Sequence, residues 1–329
     1  MHLKPDAPHL NWQGAVSLER KDDSIMPWRT PYEKHVLFPE PLLERSAMPA
    51  GVRISFRSNT THISGSIVGQ RDSGMLDLCC DGELIESYDL RGKNSFTYDG
   101  LSDQDKLIEL WLPQFGRFQL RNLEIDDGAT IEPYIDKRPR WITYGSSITQ
   151  CRSAASPTQT WPGIAARNQN FNLTCLGYGG QCHLDSMVAM MIRDLPANYI
   201  SMCLGINIQG AASLGPRAFR PAIVGAVQII REKHTDIPIV LMSPIYCPNR
   251  EENPNAVGFS LQKMREEVQA AANALQSYGD NNIHYVSGLD VFGPDLVDLL
   301  PDNLHPDAEG YRVMGRNFVT EVANNFFAE

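Results

Sequence analysis

The sequence predicts a chain of two parts. Residues 1–136 read as an all-β sandwich or jelly roll. Residues 137–329 read as an α/β domain whose mostly parallel sheet carries helices on both faces, a three-layer α/β/α arrangement. Three observations predict this. Apolar and polar residues alternate with period two through residues 51–125, short apolar runs alternate with longer helical stretches after residue 137, and 329 residues exceed the size at which one core usually keeps growing.

In the first part the alternating runs are residues 51–58, 61–68, 75–80, 83–88, 106–113 and 118–125. Asp81 and Gly82 fall between two of them, and an Asp-Gly pair between alternating runs marks an antiparallel hairpin. Residues 126–134 connect the parts. In the second part strands are expected at 141–144, 173–176, 199–204, 237–243 and 284–286, and helices at 160–167, 184–194, 216–234, 261–278 and 308–327.

Composition narrows the partners. The formal charge is −10, from 29 basic and 39 acidic side chains, with no Lys or Arg run fit to track a phosphate backbone, so nucleic acid is not expected. No stretch approaches the roughly 20 apolar residues that span a bilayer, and the amino terminus lacks an apolar core, so neither a membrane nor an export signal is expected. Seven cysteines, an odd number without CxxC spacing, are expected to be reduced thiols in a cytoplasmic chain, with no disulfide framework, no metal site and no cofactor.

The chemistry lies at the ends of the predicted strands, where open parallel sheets bind ligands. The run from Trp141 ends in Gly145, Ser146 and Ser147, a strand entering a tight turn that can present the Ser147 hydroxyl. Near the end of the chain Asp302 stands three residues before His305. A serine needs a base to take its proton, and a histidine base needs a carboxylate to fix its tautomer. A second strand ends among Gly177, Gly179 and Gly180, where a backbone N–H can approach a ligand closely. A third ends at Gly205 and Asn207, whose amide can donate to the same oxyanion.

Taken in this order, these blocks resemble those of the SGNH hydrolases, the GDSL esterase and lipase family. The resemblance covers roughly residues 138–326 and implies a flavodoxin-like α/β fold. It also implies Ser147 as nucleophile, His305 as base and Asp302 as the orienting acid, with Ser147, Gly180 and Asn207 as oxyanion donors. Two positions depart from the pattern. Ser146 stands where the family usually has Asp, and Ile208 where a second acid usually follows the Asn, so bonds that brace these loops must come from elsewhere. Ser146, Trp161, His183 and Tyr246 are candidates for the substrate pocket. Trp161 and His183 also have plain structural readings, the first as packing at a helix start beside Pro162.

A sandwich placed before such a domain resembles the layout of some carbohydrate esterases and of some acyltransferases that decorate natural products. The resemblance therefore implies a serine esterase for short acyl groups such as acetyl, acting on a small-molecule or carbohydrate ester. Three alternatives stand beside it: an acyltransferase to a sugar or natural-product hydroxyl, a non-catalytic carbohydrate-binding protein, and a metal-dependent hydrolase. The last would need ligands beyond Asp302, His305 and Asp307. A homo-oligomer is compatible with all of them.

Overall fold

Asp81 and Gly82 both adopt positive φ, 48° and 85°, the pair of left-handed residues that lets a two-residue turn match the twist of its strands. They join Met75–Cys80 to Glu83–Asp89 in an antiparallel hairpin. That hairpin belongs to a sheet of order Glu132–Pro133, Arg53–Ser58, Lys106–Trp111, Met75–Cys80, Glu83–Asp89, with Asn11–Gln13 added to Arg53–Ser58. The second sheet runs Ser17–Lys21, Ser24–Trp28, Leu120–Ile125, Ile63–Ile67, Ser95–Tyr98, with His2–Leu3 on Leu120–Ile125. Ile54, Phe56, Leu78 and Ile108 of the first sheet share one core with Ile63, Phe96, Leu120 and Leu123 of the second, which makes the amino-terminal part an antiparallel β-sandwich.

This computed structural model describes residues 1–327. By its packing the chain divides into two compact units. One comprises Met1–Arg138, Ala155–Gln159 and Asn172–Cys175; the other comprises Pro139–Ala154, Thr160–Phe171 and the chain from Leu176.

Strict alternation fails on Arg53–Ser58, where five of six residues are buried. The reason is a second buried layer within the first unit. Arg53, fully buried, donates to Glu109 at 3.2 Å, to the Leu173 carbonyl at 3.0 Å and to Asn172 Oδ1 at 2.7 Å, while Arg138 donates to Glu109 and Asp136. Charges out of water persist only when paired and hydrogen-bonded in this way. Asp77 is buried as well. Its carboxyl group takes bonds from the hydroxyls of Ser87, Ser156 and Thr158, each at 2.6 Å, and from the Thr158 N–H at 2.9 Å.

The carboxyl-terminal part holds a five-stranded sheet: β1 (Arg140–Gly145), β2 (Asn172–Gly177), β3 (Tyr199–Cys203), β4 (Ile239–Met242) and β5 (Ile283–Val286). Its spatial order is β2-β1-β3-β4-β5, with β1, β3, β4 and β5 paired in parallel, the flavodoxin-like winding. The helices that matter for the site are α1 (Ser147–Gln150), α2 (Trp161–Asn168), α3 (Ser186–Asp194), α4 (Ile206–Ala211), α5 (Pro216–Arg231), α6 (Leu261–Ser277) and α7 (Ala308–Phe318). Thr160, Ser260 and Asp307 cap α2, α6 and α7 through their side-chain oxygens, which supplies orphan N–H groups with acceptors.

Several boundaries shift from the sequence expectation. The helix expected over 184–194 starts at Ser186, because Leu184 takes a left-handed φ of 62° and Asp185 is the cap. The one expected over 308–327 is α-helical to Phe318 and then loosens into a π turn at Val319–Ala323. No described helix is long and apolar enough to cross a membrane. The seven cysteines are all free thiols, six of them buried.

Candidate active site

β1 ends at Gly145, and α1 begins two residues on. Ser146 is the N-cap of α1: its hydroxyl accepts the Ile148 N–H at 3.2 Å, which commits it to the turn and away from a pocket. Ser147 is then the first helical residue, with its own N–H without a partner among the described residues and its side chain half-buried. From 158 residues away, His305 Nε2 lies 2.8 Å from Ser147 Oγ.

His305 reaches that point from a turn that holds itself. Asp302 accepts the N–H groups of Leu304 and His305 on one oxygen, at 3.0 and 2.7 Å, and His305 Nδ1 donates to its other oxygen at 2.7 Å. With Nδ1 as donor to a carboxylate, neutral imidazole presents Nε2 as acceptor to the serine hydroxyl. Burial pushes the Asp302 carboxyl up, but the bonds from His305 and Leu304 outweigh it and hold the group below the usual carboxylate range. The turn needs Asn303 at a φ of 60°, which Asn tolerates. It is tied down by the buried Cys247 thiol, 3.0 Å from the Asn303 carbonyl.

The glycine turn after β2 has an unusual distribution of hydrogen bonds. Tyr178 donates its N–H to the Gly145 carbonyl, Gly179 to Gln150 Oε1, Gln181 to the Tyr178 carbonyl, Cys182 to Asn207 Oδ1, His183 to the Gln181 carbonyl and Leu184 to the Tyr144 hydroxyl, at 2.8 to 3.2 Å. Gly180 alone in this run has an N–H without a partner among the described residues, and it sits at a φ of 74° that suits glycine. Asn207 is the second residue of α4, two positions after the N-cap Gly205. Its Oδ1 is taken by Cys182, which leaves Nδ2 as a donor without a protein partner among the described residues.

The remaining pocket candidates are placed as follows. Trp161 is 0% exposed, donates its indole N–H to the Ile148 carbonyl at 2.9 Å, and packs against Trp141 and Phe318 beneath α1. It therefore supports the Ser147 turn from below and lines no opening. His183 is half-buried, with Nε2 3.0 Å from the Gly180 carbonyl and Nδ1 2.9 Å from Ser213 Oγ. Tyr246 is half-buried in the loop after β4, and its N–H bonds to the Phe292 carbonyl.

Cysteine chemistry is disfavoured by the same surroundings. Burial pushes the Cys203 thiol up to about 12, and also raises those of Cys182 and Cys247, so these groups stay protonated and poorly nucleophilic. Among the described residues no three His, Cys, Asp or Glu side chains gather as metal ligands would. Sequence reasoning missed Gln150 and Cys182. The position of Gln150, one helical turn after Ser147 and opposite a glycine block, was its only sequence signal.

The model of the GDSL-like lipase/acylhydrolase family matches residues 138–319. The chain belongs to that family. The model of the SsfX3 N-terminal domain matches residues 10–121. Among solved structures, this family member is similar to the salicylyl-acyltransferase SsfX3 from a tetracycline biosynthetic pathway, at 36% identity over 99% of this chain and 97% of that one, with a TM-score of 0.91. A Bacteroides ovatus protein described as a GDSL-like lipase shares its fold at 19% identity over 98% and 97%, TM-score 0.79. So does a family two carbohydrate esterase from Clostridium thermocellum in complex with cellohexaose, at 13% identity over 96% and 98%, TM-score 0.65. No curated protein matches the sequence.

Proposed function

We propose that this protein is a serine acyl-transfer enzyme that forms an acyl-enzyme on Ser147 and hydrolyses short-chain esters. The observation that carries the reading is the unbroken run of short contacts from Ser147 Oγ through His305 to Asp302, 2.8 and 2.7 Å long.

In this mechanism Ser147 Oγ attacks an ester carbonyl while its proton passes to His305 Nε2. Asp302 stabilises the imidazolium that results. The charge that develops on the carbonyl oxygen falls to the N–H groups of Ser147 and Gly180 and to Asn207 Nδ2. Collapse of the tetrahedral intermediate expels the alcohol, which takes the proton back from His305. Water then repeats the sequence and frees the acid. The test is hydrolysis of p-nitrophenyl esters from acetate to long-chain acyl by the protein and its Ser147→Ala variant. Loss of turnover in the variant is expected; equal turnover would end this reading.

A second reading of the same chemistry replaces water by a hydroxyl of a sugar or other natural product. It is favoured by the similarity to a salicylyl-acyltransferase across both parts of the chain. Product analysis with an added alcohol acceptor separates the two: a new ester at the expense of free acid marks a transferase.

A further inference from the structure

The peptide that carries the Gly180 N–H joins Gly179 to Gly180. Glycine at both positions gives this peptide wide intrinsic torsional range, since neither residue has a Cβ to restrict φ and ψ. A freely rotating donor is of little use in catalysis, because the gain from an oxyanion donor comes from its being oriented before charge develops. Two side chains address the two neighbouring peptides. Gln150, 2% exposed on α1, accepts the Gly179 N–H at 2.9 Å and so fixes the peptide on one side. His183 Nε2 lies 3.0 Å from the Gly180 carbonyl and fixes the peptide on the other side. A carbonyl only accepts, so Nε2 is the donor there, and Nδ1 lies 2.9 Å from the Ser213 hydroxyl beyond the end of α4.

We propose that Gln150 and His183 are positioning residues that bracket the Gly179–Gly180 peptide and hold its N–H for the developing oxyanion. This rests on the acyl-enzyme reading above. Gln150 comes from the helix that starts with Ser147, so the same element sets nucleophile and donor. His183 ties the turn to the segment following α4, the helix that bears Asn207. All three oxyanion donors are thereby referred to one another through side chains that need never touch substrate.

The test is the rate at which Ser147 is labelled by a fluorophosphonate probe, followed by intact mass and peptide mapping, together with kcat and KM on p-nitrophenyl acetate. In labelling, Ser147 Oγ bonds to phosphorus, fluoride leaves, and the serine proton goes to His305. His183→Ala and Gln150→Met are expected to slow labelling about 10- to 100-fold and to lower kcat with KM little changed. His183→Gln, which keeps a donor near the Nε2 position, is expected to recover most of the rate. Thermal unfolding checks each variant's fold, and if Gln150→Met does not fold the His183 pair decides. Labelling at the wild-type rate in His183→Ala would overturn the bracket and leave the acyl-enzyme reading standing. A wild-type protein that is not labelled at Ser147 would overturn both.

Discussion

The backbone N–H of Cys182 donates to Asn207 Oδ1 at 3.0 Å. This bond settles which way the Asn207 amide faces, since its oxygen is engaged and its Nδ2 is left to act as a donor. The Cys182 amide thus does for the Asn side chain what Gln150 does for the glycine turn.

Removal of that donor has a defined cost. Loss of one oxyanion donor typically raises the barrier by ~2.7–4 kcal/mol. Asn207→Ala should therefore lower kcat by about 10²- to 10³-fold. Asn207→Asp should be as poor or worse, because it keeps the acceptor for Cys182 and offers the oxyanion a negative charge. Steady-state kinetics on one activated ester checks both, and wild-type turnover in Asn207→Ala would remove this residue from the site.

Asp302 makes a prediction about pH. Its folded-state pKa lies below its unfolded value, so the stability it contributes is present above the ordinary carboxylate value of ~3.9 and is lost as pH falls through the lower folded value. Asp302 therefore remains ionised across the pH range in which esterase assays are run. The acid limb of log kcat/KM should fall with a slope of one, a single proton on the base. A slope of two would mean that Asp302 titrates as well.

Gly177, at the end of β2, is under steric constraint. A Cβ there would lie 2.4 Å from the Gln150 backbone nitrogen and 2.6 Å from the Thr149 carbonyl carbon. Gly177→Ala should push α1 away from β2, cost about 1–3 kcal/mol of stability through overpacking, and reduce kcat through displacement of Ser147. Denaturant unfolding and kinetics on the same sample test this, and an unperturbed variant would show that α1 can shift without consequence.

Asp77 offers a stability test within the amino-terminal unit. Asp77→Ala would leave the hydroxyls of Ser87, Ser156 and Thr158 without their acceptor in a buried setting. An unmet buried polar group costs about 1–3 kcal/mol, and partial relaxation makes a loss of about 2–4 kcal/mol the expected outcome for the group. Denaturant unfolding measures it, and no loss would show that these hydroxyls find other partners.

Much of this architecture was legible in the sequence because it is written in local patterns. The Asp81-Gly82 turn, the period-two runs and the apolar strands that close in glycine all act within a few residues of themselves, and the sandwich and the parallel sheet follow from them. The first 50 residues were not legible. Their strands, such as His2–Leu3 and Asn11–Gln13, are too short to show a period, and they form by pairing with Leu120–Ile125 and Arg53–Ser58. The burial of Arg53 was hidden for another reason: its partners Glu109, Asn172 and Asp136 lie far along the chain. At the candidate site, Ser147, Asp302 and His305 showed as candidates through residue type and spacing. Gln150 and Cys182 did not, because their role lies in a single bond to a loop that only the fold brings near.

The most direct test of the central claim is to mix the protein with an activated acetyl ester, quench in acid within the first turnover, and map the modified peptide by mass spectrometry. The expected result is one acetyl group on the peptide containing Ser147, and none there in a His305→Ala variant, which lacks the base that takes the serine proton. Turnover of the ester with no acyl group on Ser147, or with the label on another residue, would contradict it.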